Sequence, residues 1–422
     1  MNYQEALDYI HSISWTFCKP GLERITELCE KLGNPQSKLK FIHVAGTNGK
    51  GSFCAMTDSV LRAAGYRVGL YTSPFIRFFN ERMCVDGKPI ADEELAELTA
   101  YVRPFADAME DKPTEFELIT AIAFEYFARH ACDVVVLEVG MGGRLDSTNI
   151  IRDPLLSVIT GIALDHTAFL GNTVAEVAAQ KAGIIKDGAP VLFGGTDPDA
   201  HEVIEQTAIE RGSAFSAVDY GQLGNLRTDL SGSTFDFGDL RELHIGLLGL
   251  YQPRNAAVVL SALRLLEGRG LTVSEEAIRQ GLSQAVWHGR FEIIDRDPLM
   301  IFDGAHNPQG IEVAVRSIRQ YFGDQKVYLL TGVLRDKDYT AIAADLAKVA
   351  SRAFTLTPDS PRALSAEEYA ATLRGAGIDA THYATLGEAL SAARQAAKRD
   401  GVPLICLGSL YVYASLMEQM GR

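Results

Sequence analysis

The sequence predicts an α/β protein with two domains, and three observations lead to this prediction. Short apolar runs rich in β-branched residues alternate with helical stretches between residues 39 and 192, and the same alternation resumes near residue 298. Between these regions, residues 225–248 alternate apolar and polar side chains around SGS and GD turns. The first pattern is typical of a parallel sheet covered by helices, and the second of a small antiparallel sheet. We therefore predict an N-terminal domain over residues 1–296, with a parallel sheet and a small antiparallel one, and a Rossmann-like α/β domain over residues 297–422.

Each element can be located by its pattern. The strands of the first domain are predicted, in chain order, at KFIHVA, RVGLYT, DVVVLEV, LLSVITGIA and APVLFGG, with Gly, Pro, Ser or Asp soon after each. The antiparallel segment contains LRTDL, STFDFG and ELHIGLLG. A helix, PRNAAVVLSALRLLEG, then leads to the second domain. Its predicted strands are LMIFDGA, KVYLLTGV, RAFTLT, DATHYA and PLICLG, and they alternate with helices such as IEVAVRSIRQYF.

Composition narrows the classes of function. The chain has 422 residues, with 40 Lys and Arg against 54 Asp and Glu, so its formal net charge is −14. This charge opposes nonspecific attraction to nucleic acid or to an anionic membrane, and no apolar run approaches the roughly 20 residues that span a bilayer. The six cysteines are scattered without zinc spacing, and the first residues carry no basic, apolar leader. We expect a cytoplasmic protein with reduced thiols and with no nucleic-acid or membrane partner.

A glycine-rich segment points to phosphate binding. Residues 41–52, FIHVAGTNGKGS, run from an apolar strand through a turn into a helix. Its glycines allow backbone N–H groups to close on phosphate oxygens, and Lys50 would add a full charge at the β and γ phosphates. The segment departs from G-x-x-x-x-G-K-[ST], because Val44 occupies the first glycine position and Gly51 separates Lys50 from Ser52. A plain tight turn is the alternative, but a lysine at its end favours a phosphate loop.

Two strand ends place polar side chains beside this loop. Glu138 ends the apolar strand DVVVLEV, and Ser73 follows the strand RVGLYT. Open parallel sheets bind ligands beyond the carboxyl ends of their strands, so we expect Glu138 to face a nucleotide. The alternative is a strand-end glutamate that pairs with Arg144.

Motifs along nearly the whole chain resemble those of one family. In chain order they are KPGLERI, IHVAGTNGKGS, LYTSPFI with NERM, EVGMGGRLDSTNI, ALDHTAFLG, QKAGIIK, HGRFEII, DGAHNP and GSLY. They resemble the folylpolyglutamate synthase and dihydrofolate synthase family of the Mur ligase superfamily, with departures at Cys18, Ser147 and Gln180. The resemblance implies a Mur-ligase-like first domain and a monomer. It also implies an enzyme that uses ATP to join L-glutamate to dihydropteroate, or to the γ-carboxylate of a reduced folate, through an acyl phosphate.

The resemblance also implies ligands for nucleotide and metal. Ser73 and Glu138 would hold a magnesium ion that bridges the ATP phosphates, and His166 would bind a second. Judged by position alone, His166 could be an ordinary loop histidine and Asn255 a helix cap. The residues implied to bind ATP are Asn48, Gly49, Lys50, Gly51, Ser52, Asn255, Arg290 and Asp303.

The implied substrate residues come from both domains. An aromatic ring and a carboxylate suit a pterin, although Phe116 could equally be a core residue. His306 lies just before a helix start at Pro308, which suits the carboxylate of glutamate, and it is implied to be catalytic. Ser409 could join this glutamate pocket or cap a helix. The residues implied to contact the pterin or folate are Gly21, Leu22, Thr114, Phe116, Glu117, Leu145, Asp146 and Ser147.

Lys181 is expected to work as a carbamate, formed by CO₂ on its amine, and to act as both a catalytic residue and a metal ligand. In the helix TVAEVAAQKAGII it shares one face with Val174, Val177, Ala178 and Ile185. Burying an ammonium is unfavourable, and burial favours the free amine that CO₂ needs. A lysine whose head reaches solvent is the alternative. The likeness of QKAGIIK to the family segment in which this lysine is modified favours the carbamate.

Two other functions stay open. A nucleotide-dependent switch would explain the loop but would leave the second domain without a task. A peptidoglycan-precursor ligase of the same superfamily would use similar chemistry, although KPGLER and RLDST resemble the folate branch. We find no Ser-His-Asp arrangement that would indicate a covalent enzyme intermediate.

Overall fold

The computed structural model describes residues 1–13, 21–164 and 167–421, and the strands in these ranges form three sheets. The strands are β1 (Phe41–Ala45), β2 (Val68–Tyr71), β3 (Met83–Val85), β4 (Lys88–Pro89), β5 (Val134–Glu138), β6 (Leu156–Ile159), β7 (Val191–Phe193), β8 (Phe215–Ala217), β9 (Leu223–Asp229), β10 (Gly232–Phe237), β11 (Leu240–Ile245), β12 (Glu292–Arg296), β13 (Leu299–Asp303), β14 (Val327–Thr331), β15 (Ala350–Thr355), β16 (Asp379–His382) and β17 (Leu404–Leu407).

Helices cover the sheets on both sides. No helix in the described ranges is long and apolar enough to cross a membrane. The helices are α1 (Tyr3–Ser12), α2 (Glu23–Lys31), α3 (Lys50–Ala63), α4 (Asp92–Asp107), α5 (Glu115–Arg129), α6 (Thr167–Leu170), α7 (Val174–Ala182), α8 (Pro198–Glu210), α9 (Gln252–Glu267), α10 (Glu275–Gln284), α11 (Pro308–Phe322), α12 (Tyr339–Leu346), α13 (Ala366–Gly375), α14 (Leu386–Asp400) and α15 (Tyr411–Gln419).

The first sheet is mostly parallel and is buried on both faces. Its strand order is β4-β3-β2-β5-β1-β6-β7-β8, and only β3 and β4 add an antiparallel edge. All of β5 is buried. Val134 and Val136 pack in the cluster that contains α3 and α9, whereas Val135 and Leu137 pack with α4 and α5. The continuous apolar run of this strand follows from burial on both sides.

The register of this sheet brings its functional segments to one edge. Val44 of β1 lies opposite Glu138 of β5 and Val158 of β6. The loop after β1 and Ser73 after β2 therefore lie at the same carboxyl edge as Glu138. Parallel pairing thus assembles segments that are far apart in the sequence.

The small antiparallel sheet is confirmed at the predicted segment. Its order is β11-β10-β9. Phe235, Phe237, Leu243 and Ile245 are fully buried and pack in the cluster that contains α9. This sheet therefore packs onto the first domain and shares its core instead of forming a separate one.

The second large sheet begins earlier than the sequence suggested. Its order is β12-β13-β17-β14-β15-β16, and all neighbours are parallel except β12, which pairs antiparallel with β13. The boundary predicted between residues 296 and 297 falls inside this hairpin, because Asp297 and Pro298 form its turn and not a linker between domains. The second sheet thus starts at Glu292, and the α/β class predicted for this region is confirmed.

Gly281 allows α10 to lie directly on α3, the helix that follows the phosphate loop. A Cβ at Gly281 would lie 2.3 Å from the Cα of Val60, and Ser59 Oγ donates to the Gly281 carbonyl oxygen at 2.8 Å. We predict that Gly281→Ala lowers the free energy of unfolding by about 1–3 kcal/mol, because backbone must move to admit the methyl group. Urea unfolding followed by circular dichroism measures this change.

Gly375→Ala is the matched control. Gly375 also lies in a helix, but a Cβ there would meet nothing within 4 Å. This substitution is expected to be neutral or to stabilise by about 0.4–1 kcal/mol, since alanine restricts the unfolded chain. Equal destabilisation by the two substitutions would contradict the packing argument.

Candidate active site

The loop between β1 and α3 packs so closely that two of its positions accept only glycine. Gly46 has a φ of 148°, and a Cβ there would lie 1.8 Å from Thr160 Oγ1. Gly49 has a φ of 89°, and a Cβ there would lie 2.8 Å from Asn255 Oδ1. Thr160 Oγ1 also donates to the carbonyl oxygen of Asn48 at 2.8 Å. The loop is therefore held between the end of β6 and the start of α9, as a phosphate loop with a fixed shape requires.

Two lysine side chains converge on one carbonyl oxygen of this loop. Lys50 is the first residue of α3, and its Nζ donates to the Gly46 carbonyl oxygen at 3.0 Å and to that of Thr47 at 3.5 Å. Lys181 of α7 is 4% exposed, and its Nζ donates to the Gly46 oxygen at 2.9 Å. The burial of Lys181 excludes the alternative of a head group in solvent. Both lysines thus lie against the base of the loop.

A chain of polar contacts joins the loop to α9. Gln252 Nε2 donates to Ser52 Oγ at 3.2 Å, and Asn255 Nδ2 donates to Gln252 Oε1 at 3.0 Å. The Trp287 ring covers the other side, since a Cβ at Gly51 would lie 2.4 Å from its Cζ2 atom. The structure therefore places Asn255 beside the phosphate loop, in the first turn of α9. It adds Gln252 and Trp287, which the sequence analysis did not assign to the site.

Glu138 is a buried carboxylate at the carboxyl edge of the first sheet. It is 3% exposed, and its Oε2 accepts the Ser73 N–H at 3.2 Å. Burial raises the pKa of Glu138 to about 6, although Lys50, the Ser73 N–H and Arg290 each oppose the rise. No ion pair joins Glu138 to Arg144, so the alternative drawn from the sequence is wrong.

The Ser73 and Glu138 pair fits a hard cation. Ser73 Oγ is completely buried and has no hydrogen-bond partner among the described residues. A buried hydroxyl without a partner beside a carboxylate offers two of the oxygen ligands that Mg²⁺ prefers. The third implied ligand, His166, lies outside the described residues. Within those residues, no group of three or more His, Cys, Asp or Glu side chains could hold a metal.

Arg290 connects the two domains electrostatically. Its charge acts on Glu138 of the first domain and on Asp303 at the end of β13 in the second, and a Cβ at Gly304 would lie 2.9 Å from its Nη1. Asp303 is 4% exposed and accepts the N–H groups of Phe291 at 2.9 Å and Ala305 at 2.7 Å, and the Tyr251 hydroxyl at 3.3 Å. Burial raises the pKa of Asp303, and Arg290 opposes this rise. Arg290 therefore lies within electrostatic range of a carboxylate at the edge of each sheet.

His306 and Ser409 lie at the same edge of the second sheet. His306 Nδ1 is 2.7 Å from the Gly304 carbonyl oxygen, and Asn307 caps the helix α11 that follows. Ser409 is buried two residues beyond β17, and Leu407 of β17 lies opposite Asp303. The structure thus brings the residues implied for glutamate together at the carboxyl edge of the second sheet.

The residues implied for the pterin divide into structural and accessible groups. Thr114 and Glu117 form the capping box of α5, and Glu117 is buried in an ion pair with Arg24 Nε at 2.9 Å. Asp146 accepts the N–H groups of Met141 at 2.9 Å and Thr148 at 3.0 Å. Both carboxylates, of Glu117 and Asp146, therefore already bind groups of the protein itself.

The other residues implied for the pterin include one aromatic ring with a free side. Phe116 is half-buried, and its ring lies over Gly140, where a Cβ would be 2.6 Å from its Cζ. It is therefore not wholly a core residue. Leu145 is exposed and Ser147 is buried, and Gly21 and Leu22 precede α2.

Comparison with known families gives two matches that together span most of the chain. Residues 44–263 match the Mur ligase middle domain. Residues 289–409 match the Mur ligase glutamate ligase domain. The second match begins just before the hairpin of β12 and β13, which agrees with the start of the second sheet.

Individual proteins are similar over nearly the whole chain. The chain is 40% identical over 377 residues to the dihydrofolate synthase/folylpolyglutamate synthase of Bacillus subtilis, with 87% of each protein covered. A structure of the folylpolyglutamate synthase of Mycobacterium tuberculosis with ADP and AMPPCP has a TM-score of 0.89 and 29% identity, covering 100% of this chain and 99% of that one. An Escherichia coli relative bound to DHPP and ADP has a TM-score of 0.87 and 32% identity, covering 100% and 98%.

Glu138 is expected to destabilise the ligand-free protein near neutral pH. Its pKa is raised by burial from 4.5 to about 6, so the carboxyl is neutral below both values and its charge is disfavoured in the folded state above them. We predict that Glu138→Gln raises the free energy of unfolding by about 2 kcal/mol above pH 7. The gain should disappear as the pH falls through the window from about 6 to 4.5. Metal-free urea unfolding at several pH values measures it.

Glu267→Gln serves as the control, because Glu267 is exposed at the end of α9. Its effect should stay within about 0.5 kcal/mol at every pH. Loss of stability in Glu138→Gln at neutral pH would show that the carboxylate supports the fold and would contradict the prediction.

Proposed function

The chain belongs to the folylpolyglutamate synthase and dihydrofolate synthase family of Mur ligases, and we propose that it joins L-glutamate to dihydropteroate or to the γ-carboxylate of a reduced folate. It is an ATP-dependent ligase that forms ADP. One observation carries the proposal: Arg290, whose side chain lies beside Gly304 in the glutamate ligase domain, acts electrostatically both on Asp303 there and on Glu138 at the phosphate loop. A reaction that passes an activated group from ATP to glutamate needs these two edges to meet.

A carboxylate reacts poorly with an amine, and phosphorylation by ATP overcomes this low reactivity. A carboxylate oxygen of the acyl substrate attacks the γ phosphorus of ATP, which gives an acyl phosphate and releases ADP. The amine of L-glutamate then attacks the acyl carbon, and inorganic phosphate leaves. The protein contributes alignment of the reactants and neutralisation of the developing charge.

Each part of the cleft has a task in this scheme. The backbone N–H groups at the start of α3 and the Lys50 ammonium bind the phosphates. Arg290, near the boundary between the two domains, neutralises negative charge on the phosphoryl group as it is transferred. His306 and the capped start of α11 bind the carboxylate of L-glutamate, together with Ser409. Phe116 offers the ring of the pterin a flat apolar contact.

Ser73 and Glu138 would hold Mg²⁺, which neutralises the ATP phosphates when it is bound. Two observations support this: the buried Ser73 hydroxyl has no hydrogen-bond partner among the described residues, and the backbone nitrogen of Ser73 lies 3.2 Å from Glu138 Oε2. A second ion at His166 is implied by the family resemblance.

Carbamylation of Lys181 would remove an unfavourable arrangement of charge. Two ammonium groups that share the Gly46 oxygen lie within about 6 Å of each other, a distance at which like charges disfavour one another. CO₂ on Lys181 replaces one of these cations with an anion, while the remaining N–H can still donate to the Gly46 oxygen. The carboxylate formed can then face the metal and the Lys50 ammonium.

We predict that Lys181→Ala loses most ligation activity and recovers part of it when acetate or formate is added, because a small anion can occupy the place of the carbamate. Protein equilibrated with ¹³C-bicarbonate should show a carbamate signal by NMR, and the variant should lack it. The control is Lys186→Ala, whose half-buried Nζ donates to the Asn149 carbonyl oxygen at 2.8 Å. Rescue of both variants, or full activity in Lys181→Ala, would overturn the carbamate.

Lys50→Ala should lower ligation by at least about 100-fold while the thermal unfolding temperature stays close to that of the wild type. The reason is that the Lys50 ammonium neutralises the charge of the phosphates, and its side chain is not part of a hydrophobic core. Steady-state ADP formation measures the effect, with the exposed Lys38→Ala as the control. Substantial turnover by folded Lys50→Ala would refute the role of the loop.

The proposed function is tested by the substrates on which ADP release depends. A ligase should release ADP only when L-glutamate and an acyl substrate are both present, and dihydropteroate and tetrahydrofolate should be assayed separately. A nucleotide switch would release ADP without them. Activity with a UDP-muramoyl substrate instead would support a peptidoglycan-precursor ligase.

We also propose that the protein is a monomer and lies in the cytoplasm. The described cysteines, Cys29, Cys54, Cys84, Cys132 and Cys406, are free and buried, and burial raises the pKa of the Cys29 thiol to about 12. Such thiols suit a reducing compartment. Sedimentation velocity measures the state of association.

A further inference from the structure

His43 is the one polar residue of an otherwise apolar strand, and the scheme above does not use it. It lies in the middle of β1 and is fully buried. Its neighbours across the sheet are Leu137 of β5 and Ser157 of β6. An imidazole buried at such a position is unfavourable unless it is hydrogen-bonded, so its bond partner indicates what the residue does.

One hydrogen bond fixes the tautomer of the ring. His43 Nε2 lies 2.9 Å from Thr148 Oγ1, and that hydroxyl donates its only proton to Asp146 Oδ1 at 2.6 Å. Asp146 is an acceptor there, since its oxygens also accept the N–H groups of Thr148 and Met141. Thr148 can therefore only accept from the ring, so Nε2 carries the proton. Nδ1 is a buried acceptor with no hydrogen-bond partner among the described residues.

The ring stays neutral near physiological pH. Burial lowers the pKa of His43 from 6.5 to about 3, and the charge of Lys186 adds to this effect. A second proton, at Nδ1, would find no acceptor among the described residues. His43 is therefore a permanent single donor and not an acid or a base.

This donor holds the loop between β5 and β6 from below. Thr148 and Asp146 are buried, whereas Gly140 at the start of the loop is exposed. A Cβ at Gly140 would lie 2.6 Å from Phe116 Cζ and 3.2 Å from Asp146 Oδ2, so the loop backbone fits between this ring and this carboxylate. The bond from His43 thus helps to determine where the loop lies against the ring implied for the pterin.

The strand that carries His43 also carries the phosphate loop. His43 lies three residues before Gly46, whose carbonyl oxygen accepts from Lys181 of α7. The loop between β5 and β6 is tied to the end of the same helix, because Asn149 Nδ2 donates to the Gly183 carbonyl oxygen at 3.0 Å. His43 therefore links the loop beside Phe116 to the strand from which the phosphate loop begins.

We propose that His43 is a positioning residue for the acyl substrate, and that its Nε2–H donor aligns the pterin end of that substrate with the phosphate loop. The inference rests on the proposed function. His43 acts through Thr148 and Asp146 and has no contact with the substrate itself. The reacting carboxylate is attached to the far end of the same molecule, so a displaced pterin would also displace the oxygen that attacks ATP.

The tautomer is tested by NMR on protein with ¹⁵N-labelled histidine. Long-range ¹H–¹⁵N spectra distinguish a protonated Nε2 from a protonated Nδ1, and the signals of His43 are assigned by their loss in His43→Gln. The Nε2–H form should persist without titration from about pH 5 to 8. A protonated Nδ1, or a transition within this range, would overturn the proposal.

The role is tested with two variants that place an amide at different points of the ring. Glutamine brings its amide nitrogen near the place of Nε2, whereas the shorter asparagine reaches only the place of Nδ1. With AMPPCP bound, calorimetry should show that His43→Asn binds dihydropteroate about 10-fold more weakly than the wild type, as the loss of one buried hydrogen bond predicts. His43→Gln should keep most of the affinity. Binding of AMPPCP alone should stay unchanged in both.

Thr148→Val tests the path of the effect. It should also weaken dihydropteroate binding, and adding His43→Asn to it should cause no further loss, because both changes remove the same hydrogen bond. His201→Asn is the matched control. His201 lies on α8 of the same domain, and its partly exposed ring is 3.6 Å from Glu205. This variant should bind both ligands as the wild type does.

Other outcomes separate the two proposals. Weaker AMPPCP binding in His43→Asn, or equal losses in His43→Asn and His43→Gln, would indicate a packing role and overturn the assignment. If His43→Asn does not fold, unchanged dihydropteroate affinity in Thr148→Val overturns it. A wild type that neither binds dihydropteroate nor forms the amide refutes the proposed function itself. A wild type that ligates while His43→Asn and Thr148→Val keep their affinity refutes only the role of His43.

Discussion

The architecture depends on burying charge at the carboxyl edge of the first sheet without neutralising it completely. Glu138 is deeply buried, yet its described protein donor is a single backbone N–H. Lys50 and Lys181 share one carbonyl oxygen. Each arrangement is unfavourable in the ligand-free fold. Under the proposed function, nucleotide, metal and substrate would supply the missing partners, and the free energy of binding would include relief of these buried charges.

The surrounding packing makes this arrangement tolerable. Both faces of the sheet are closed by helices, and α10 lies so close to α3 that Gly281 has no room for a side chain. The loop glycines are enclosed by Thr160, Asn255 and Trp287. A loop held this firmly cannot relax its charged groups into other contacts. Rigidity of the scaffold therefore preserves the orientation that phosphate transfer requires.

The two domains meet through specific contacts that surround the cleft. Tyr251 donates to Asp303, and Gly249 N–H donates to the Tyr321 hydroxyl at 2.9 Å. From the other side, Ile76 packs into the core of the second domain. The segment after β2 therefore contacts both domains.

Local pattern was sufficient for most elements, because strand alternation and glycine-rich turns are set by residues close in the sequence; it missed the strands β3, β4, β8 and β12. The βα series, the antiparallel insert and the phosphate loop were all predicted from such patterns, and the family followed from the order of the motifs. The sequence pattern misplaced the domain boundary at residues 297–298. An Asp-Pro turn within a hairpin resembles a linker until the pairing of the two flanking strands is known. Only tertiary structure could show that Glu138 avoids Arg144 and that Lys181 reaches the Gly46 carbonyl oxygen. Burial and pairing of a charged side chain depend on neighbours that are remote in sequence, so they are decided when the sheets and domains pack together.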